Sequence, residues 1–323
     1  MRITVLGASG FVGSAVVAEL ARRPVRLRAV SRRPAPLPDG ATARIQTRIT
    51  DLTEPGAVAR VVAGADAVVH TVLNDGGWRA AADDPRAAEV NIGVMRDLIA
   101  ALADRPAGTP PPVVVYAGAA SQIGVPPEHP IDGSEPDHPE TDYDRQKLEA
   151  ERLLAKASAD GTVRGVLLRL PTVFGYAPGG ADRGVVSFMA RRALAGEEIR
   201  MWHDGSVRRD LVHVDDIARA VAAGLDHADR LTGRTWPLGA GRGDRLGDVF
   251  TALARYAAEH TGGAPVPVVQ TPAPEHAPVT DFRDVTVDAS AFTAVTGWRP
   301  RTGLAEGLRH TVAALWKETR DES

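Results

Sequence analysis

Short apolar runs take turns with stretches of helical periodicity along the first half of the chain. The runs "RITVLG" (2–7), "VRLRAV" (25–30), "DAVVHTV" (66–72), "PVVVYAG" (112–118) and "RGVLLRLP" (164–171) are rich in Val and Leu and bounded by Gly, Pro or charge. That pattern predicts buried strands, and "TARIQTRI" predicts a weaker one at 42–49. Between them, "FVGSAVVAELARR" (11–23), "PGAVARVVAG" (55–64), "PRAAEVNIGVMRDLIAALAD" (85–104) and the segment around Tyr143 repeat apolar residues at helical spacing. Alternation on this scale predicts an α/β fold built on a doubly wound parallel sheet covered on both faces. After residue 175 the rhythm changes. A Gly/Pro-rich link, "GYAPGGADRG", leads to a helix near 185–196 and then to shorter, less regular elements. No internal repeat is visible, and low complexity is confined to short loops such as "AGTPPPV".

Composition removes several classes of function. Hydrophobic residues make up 44% and charged residues 24%, ordinary values for a globular protein. No segment approaches the roughly eighteen consecutive apolar residues that would span a bilayer. Met1 runs straight into "RITVLGASG", without the apolar stretch and cleavage site of a signal peptide. With no Cys, disulfides, thiolate metal sites and cysteine nucleophiles are excluded together. A net charge of -3 gives no general attraction to nucleic acid or to an anionic membrane. The expectation is a cytoplasmic protein with neither as partner, and no metal.

The first strand ends in "GASGFVG", a G-x-x-G-x-x-G of Gly7, Gly10 and Gly13 followed at once by a helix. Gly7 allows the sharp turn, Gly10 lets backbone approach a pyrophosphate at the helix N-terminus, and Gly13 lets that helix pack closely on the sheet. Three glycines at this spacing, in a strand-turn-helix context, point to a Rossmann-type dinucleotide site. Which dinucleotide is decided after the second strand, where an NAD site usually carries an acid for the ribose 2′-hydroxyl. Here the chain reads "LRAVSRRPAPLPD", with no acid until Asp39. Ser31, Arg32 and Arg33 stand where a 2′-phosphate would fall, and guanidinium groups bind phosphate through charge-assisted, bidentate bonds. The expected cofactor is NADP(H).

A second motif lies in "TDYDRQKLEAERLL" (141–154), where one of only four tyrosines opens a helix with a lysine four positions on. A bare Y-x-x-x-K is common by chance, so the surrounding sequence must decide its meaning. In family order come the N-terminal glycines, Asp51-Leu52 after the third strand, Asn91 in a helix, and Tyr143-x-x-x-Lys147. They are followed by "LRLPTVFG" (168–175) and "RRDLVHVDDIARA" (208–220). This set, spread over essentially the whole chain, resembles the extended short-chain dehydrogenase/reductase family. "MWHDGSVRRDLVHVDD" and "DFRDVTVDASAFTAVTGWRP" look most like its TDP-4-keto-6-deoxyhexose 4-ketoreductases, which make deoxysugars for natural-product glycosylation.

The resemblance implies a division of labour. Residues 1–175 and 209–242 would form the cofactor domain, and 176–208 and 243–323 a smaller α/β domain for the sugar nucleotide, the protein working as a homodimer. Tyr143 would give a proton to a substrate carbonyl oxygen as hydride reaches its carbon. Lys147 would lower the phenol pKa from about 10 and bind the nicotinamide ribose. Ser9, Phe11, Val12, Asp51, Leu52 and Pro171 would join the glycines around the cofactor. Family members carry a Ser or Thr just after the fifth strand to hold the same oxygen. Here that position is Ala119, and the nearest hydroxyl is Ser121, the candidate replacement.

Neighbouring chemistries are discriminated by the same stretch. Sugar-nucleotide dehydratases follow that hydroxyl with Asp-Glu, whereas this chain has Ala120 and Ser121; the 3,5-epimerising reductases use a Cys, and this chain has none. The resemblance implies Arg209 as a ligand of the sugar-nucleotide diphosphate, with Arg283 a second candidate, and Trp202 as the aromatic residue on its base. Such stacking is worth roughly 1–3 kcal/mol per base. Asn91, grouped with them, resembles the family's helix-bending Asn beside the lysine. The expected reaction is NADPH-dependent reduction of the C4 ketone of a TDP-4-keto-6-deoxyhexose. Alternatives are a nucleotide-sugar 4-epimerase with retained NAD, or a cofactor-binding protein whose catalysis is impaired.

Overall fold

The structure is a computed structural model that describes residues 1–74, 84, 86–105, 108–178, 184–202, 204–273, 277 and 279–321. Seven strands form one parallel sheet: β1 (Arg2–Leu6), β2 (Arg26–Ser31), β3 (Arg44–Ile49), β4 (Ala67–His70), β5 (Val113–Ala119), β6 (Arg164–Leu170) and a short strand, Thr235–Pro237. That short strand is β11 in chain order, after β7 (Thr172–Phe174), β8 (Ile199–Met201), β9 (Arg208–Arg209) and β10 (Leu211–His213). The spatial order is β11-β6-β5-β4-β1-β2-β3, so the order reverses between β1 and β4. This is the doubly wound, Rossmann-type arrangement, whose ligands bind outside the carboxyl ends of the strands at such a reversal.

Period-two alternation builds the two faces. Val113 and Val115 of β5 join one core with α1 (Phe11–Ala21) and α6 (Val214–Asp226). Val114 and Tyr116 point the other way, into a core shared with α2 (Ala57–Val62), α3 (Val94–Ala103) and α4 (Asp142–Ala159). All seven residues of β5 are therefore buried, while β3, the sheet edge, is mostly exposed. Burying a valine or leucine side chain is worth about 1.5–3 kcal/mol, so the central strands carry much of the sheet's stability.

The irregular second half has a core of its own. Phe174 packs there with residues of α5 (Val185–Leu194), α8 (Leu246–Thr261) and α10 (Leu304–Asp321), whereas the short helices α7 (Ala228–Leu231) and α9 (Ser290–Thr296) join the first core through Ala228, Leu231 and Phe292. Two buried carboxylates in "RRDLVHVDDIARA" tie distant segments to this region. Asp210 accepts the backbone N–H groups of Ala240 (2.7 Å), Gly241 (3.1 Å) and Val287 (3.1 Å). Asp216 accepts those of Arg301 (2.7 Å) and Thr302 (3.0 Å) and pairs with Arg219. No helix among the described residues is long and apolar enough to cross a membrane.

Candidate active site

Gly7 takes φ +87°, a backbone conformation open to glycine, and its N–H bonds to the Val30 carbonyl at 2.9 Å. A Cβ on Gly13 would fall on the Gly7 carbonyl oxygen and 2.9 Å from Thr71 Oγ1, so α1 can lie this close only with glycine there. Gly10 caps α1 with no side chain bonded to its first turn. The amide groups of Phe11, Val12 and Gly13 therefore open a helix N-terminus suited to a pyrophosphate, with Ser9 in the turn before it.

Arg32 and Arg33 are exposed after β2. Ser31 is buried, and its hydroxyl donates to the Arg33 carbonyl at 2.7 Å, so it shapes this turn rather than presenting a donor to phosphate. Asp51 and Leu52 follow β3. Asp51 accepts from Thr53 N (3.0 Å) and Oγ1 (2.7 Å), bonds that hold its carboxyl below the usual range, and Leu52 is buried. Pro171 joins β6 to β7.

Thr141 caps α4, its Oγ1 accepting from Asp144 N at 3.1 Å. Tyr143 stands half-buried in the first turn and Lys147, one turn on, is buried. Lys147 Nζ donates to the Ala117 carbonyl of β5 at 2.9 Å and lies 5.1 Å from the centre of the Tyr116 ring. Burial lowers its pKa to about 8, against the pull of Glu151 in the other direction. The expected depression of the Tyr143 pKa is not found. Burial and then the neighbouring Asp144 carboxylate raise it instead.

Asn91 does bend its helix: Glu89–Gly93 forms a π-helical turn leading into α3. Asn91 is only 3% exposed, its Oδ1 accepts from Asn74 N (3.0 Å) and its Nδ2 donates to Gln146 Oε1 (2.7 Å), so its amide braces α4 beside Lys147.

Beyond Ala119 the chain enters a 3₁₀ turn, Ala120–Ile123. Its rise of about 2.0 Å per residue keeps Ser121 nearer the strand end than an extended chain would. Ser121 is exposed, and its Oγ donates to Asp144 Oδ1 at 2.5 Å. A buried network holds this turn. Gln122 Oε1 accepts from Ala119 N (2.8 Å), Gln122 Nε2 donates to Glu151 (3.0 Å), and Arg169 forks onto the same carboxylate at 3.1 and 2.6 Å. Sequence reading missed Asp144, Gln122 and Arg169. Glu151 alone carried a signal, lying four residues after Lys147 on one helix face.

In the second half of the chain, Arg209 in β9 donates to the main-chain carbonyl of Arg283, bringing two expected ligands together. Burial lowers the Arg209 pKa while Asp281 and Asp284 draw it up. Arg283 is exposed, and Trp202 follows β8 half-buried.

The comparisons agree with this architecture. The chain matches the NAD dependent epimerase/dehydratase family over residues 3–239, and it belongs to that family. It is 30% identical over 328 residues, 98% of this chain and 94% of the relative, to the dTDP-6-deoxy-L-talose 4-dehydrogenase (NAD(P)(+)) of Kitasatospora kifunensis. It is 28% identical over 97% of both chains to the UDP-glucose 4-epimerase of Mycolicibacterium smegmatis. Among solved structures, MoeE5 in complex with UDP-glucose and NAD superposes with a TM-score of 0.82, at 28% identity over 100% of both chains.

Proposed function

We propose that this protein reduces the C4 ketone of a TDP-4-keto-6-deoxyhexose with NADPH, working as a homodimer. The observation that carries the reading is geometric: Tyr143 opens α4 one turn before the buried Lys147, whose Nζ reaches the Ala117 carbonyl near the carboxyl end of β5. The glycine turn, whose Cβ positions are filled by backbone and Thr71, supports a dinucleotide there. When bound, the nicotinamide supplies a hydride to the carbonyl carbon. Tyr143 holds its proton at Oη and passes it to the carbonyl oxygen. Lys147 holds the nicotinamide ribose, the N-terminus of α1 holds the pyrophosphate, and Arg32 and Arg33 take the 2′-phosphate. Arg209 and Arg283 bind the sugar diphosphate and Trp202 the base, in a substrate domain of residues 176–208 and 243–323. Positions 120 and 121, Ala and Ser, offer no carboxylate for dehydration. A relative named for 4-dehydrogenation of a dTDP-6-deoxy sugar supports chemistry at C4.

A 4-epimerase is the second reading, favoured by the UDP-glucose 4-epimerase relative. The two separate on cofactor. Purified protein should arrive without bound nicotinamide and oxidise NADPH with members of a TDP-4-keto-6-deoxyhexose panel, product configuration being read by NMR. Tightly retained NAD and no NADPH oxidation with any panel member would reject the reductase.

A further inference from the structure

Three successive residues at the carboxyl end of β5 meet one cluster of buried side chains. The Ala117 carbonyl accepts from Lys147 Nζ at 2.9 Å, and the Ala119 N–H donates to Gln122 Oε1 at 2.8 Å. Between them, a Cβ on Gly118 would lie 3.0 Å from Gln122 Oε1 and 3.1 Å from Glu151 Oε2. The bare backbone at Gly118 lets both side chains close on the strand.

Tyr143, Lys147 and Glu151 recur every fourth residue of α4 and share one of its faces. Glu151 is 4% exposed and accepts three bonds, one from Gln122 at 3.0 Å and two from Arg169 of β6 at 3.1 and 2.6 Å. It therefore ties the turn after β5, and the strand beside it, to the helix that carries Tyr143 and Lys147. Desolvation offsets much of the attraction in a buried ion pair, so stability alone does not account for this one.

The surroundings of Lys147 give the carboxylate a second task. Glu151 alone opposes the burial that lowers the lysine pKa. The cluster's other anion, Asp137, reaches it only through Arg169, at 2.7 Å. The remaining titratable groups around Lys147 are neutral through the working range. His70 of β4 has its pKa lowered to about 3, and the phenols of Tyr116 and Tyr143 have theirs raised.

We propose that Glu151 is the positioning residue of the Tyr143–Lys147 pair: its carboxylate fixes the end of β5 against α4 and keeps the Lys147 ammonium charged for the cofactor ribose. The assignment rests on the catalytic reading of that pair, which holds for the reductase and the epimerase alike.

Lys147 is one of three lysines, with Lys156 and Lys317. Labelling with ¹³C-lysine thus lets its Cε signal be followed through a pH titration of the ligand-free protein, Lys147→Arg identifying the signal. In Glu151→Gln the Lys147 midpoint should fall below its value of about 8 by roughly one unit, with Lys156 and Lys317 unmoved. The alkaline limb of turnover should fall with it. Gln122→Leu, which cuts the tie to β5 but leaves the carboxylate, should lower kcat several-fold with the midpoint unmoved. If Glu151→Gln does not fold, Glu151→Gln with Arg169→Gln removes both members of the pair and carries the same expectation. An unchanged Lys147 midpoint in the folded variant would overturn the inference and leave Glu151 a structural tie. A midpoint that falls while the turnover limb stays would overturn the positioning role. A wild type that turns over no sugar nucleotide would reject the proposed reaction and not this inference, which the ligand-free titration decides.

Discussion

Ser121 Oγ donates to Oδ1 of Asp144 at 2.5 Å, while Thr141 Oγ1 donates to Oδ2 of the same carboxylate at 2.6 Å. One buried carboxylate thus clips the turn after β5 to the first turn of α4, beside Tyr143. A Ser121 hydroxyl whose proton points at Asp144 presents lone pairs to the cleft. It is poorly set to stabilise a developing oxyanion, an interaction worth about 2.7–4 kcal/mol when a donor is in place.

Ser121→Ala should therefore lower turnover only modestly, and Ala119→Thr, restoring a hydroxyl at the strand end, should raise it. Single-turnover reduction at saturating cofactor distinguishes the cases. Collapse with Ser121→Ala and no gain from Ala119→Thr would make Ser121 the full replacement.

Tyr143→Phe removes the transferable proton and little else. Cofactor affinity should persist and most turnover disappear. Because the phenol pKa is raised, reduction should show no loss from Tyr143 ionisation through the neutral range; the decline as pH rises through about 8 belongs to Lys147. Near-normal turnover in the phenylalanine variant would remove Tyr143 from the reaction.

Replacing Arg32 and Arg33 together by Ala should weaken NADPH by at least one tenfold step, about 1.4 kcal/mol, with much less effect on NADH. Isothermal titration with each cofactor measures this, and equal losses would reject the phosphate assignment.

Arg209→Ala should raise KM for the sugar nucleotide tenfold or more with a smaller change in kcat, since a diphosphate contact acts on binding. An unchanged KM in a folded variant would show that Arg209 serves only to hold the Arg283 main chain.

His70 is fully buried behind Lys147, edge-on to Tyr116 at 5.5 Å, with no partner for either ring nitrogen among the described residues. Burial, then Lys147, lowers its pKa from 6.5 to about 3. The unfolded chain takes a proton near pH 6.5 that the native state refuses until about pH 3, so stability is present above that window and lost as pH falls through it. At a pH of about 5 the loss is on the order of 2 kcal/mol. Urea unfolding between neutral and acid pH should show a shallower decline for His70→Leu, and parallel declines would exclude His70 as the source.

Much of this protein was legible from its sequence. Runs such as "VVVYAG" declare burial through local alternation, and the six strands and their helices lie within a few residues of where periodicity puts them. The glycine turn was equally local, because Gly10 and Gly13 both approach the Gly7 carbonyl within a single strand-turn-helix unit. The three-residue strand β11 carries too little pattern to be read, and its place beside β6 depends on the path of the chain. Tertiary structure alone turned Lys147 toward Ala117, gave Asp144 the hydroxyl of Ser121 and paired Asn91 with Asn74 and Gln146. The physical reason is range. Periodicity records whether a residue is buried, whereas a polar group's partner, and with it the direction of a proton or the shift of a pKa, is chosen among residues that only the folded chain brings together.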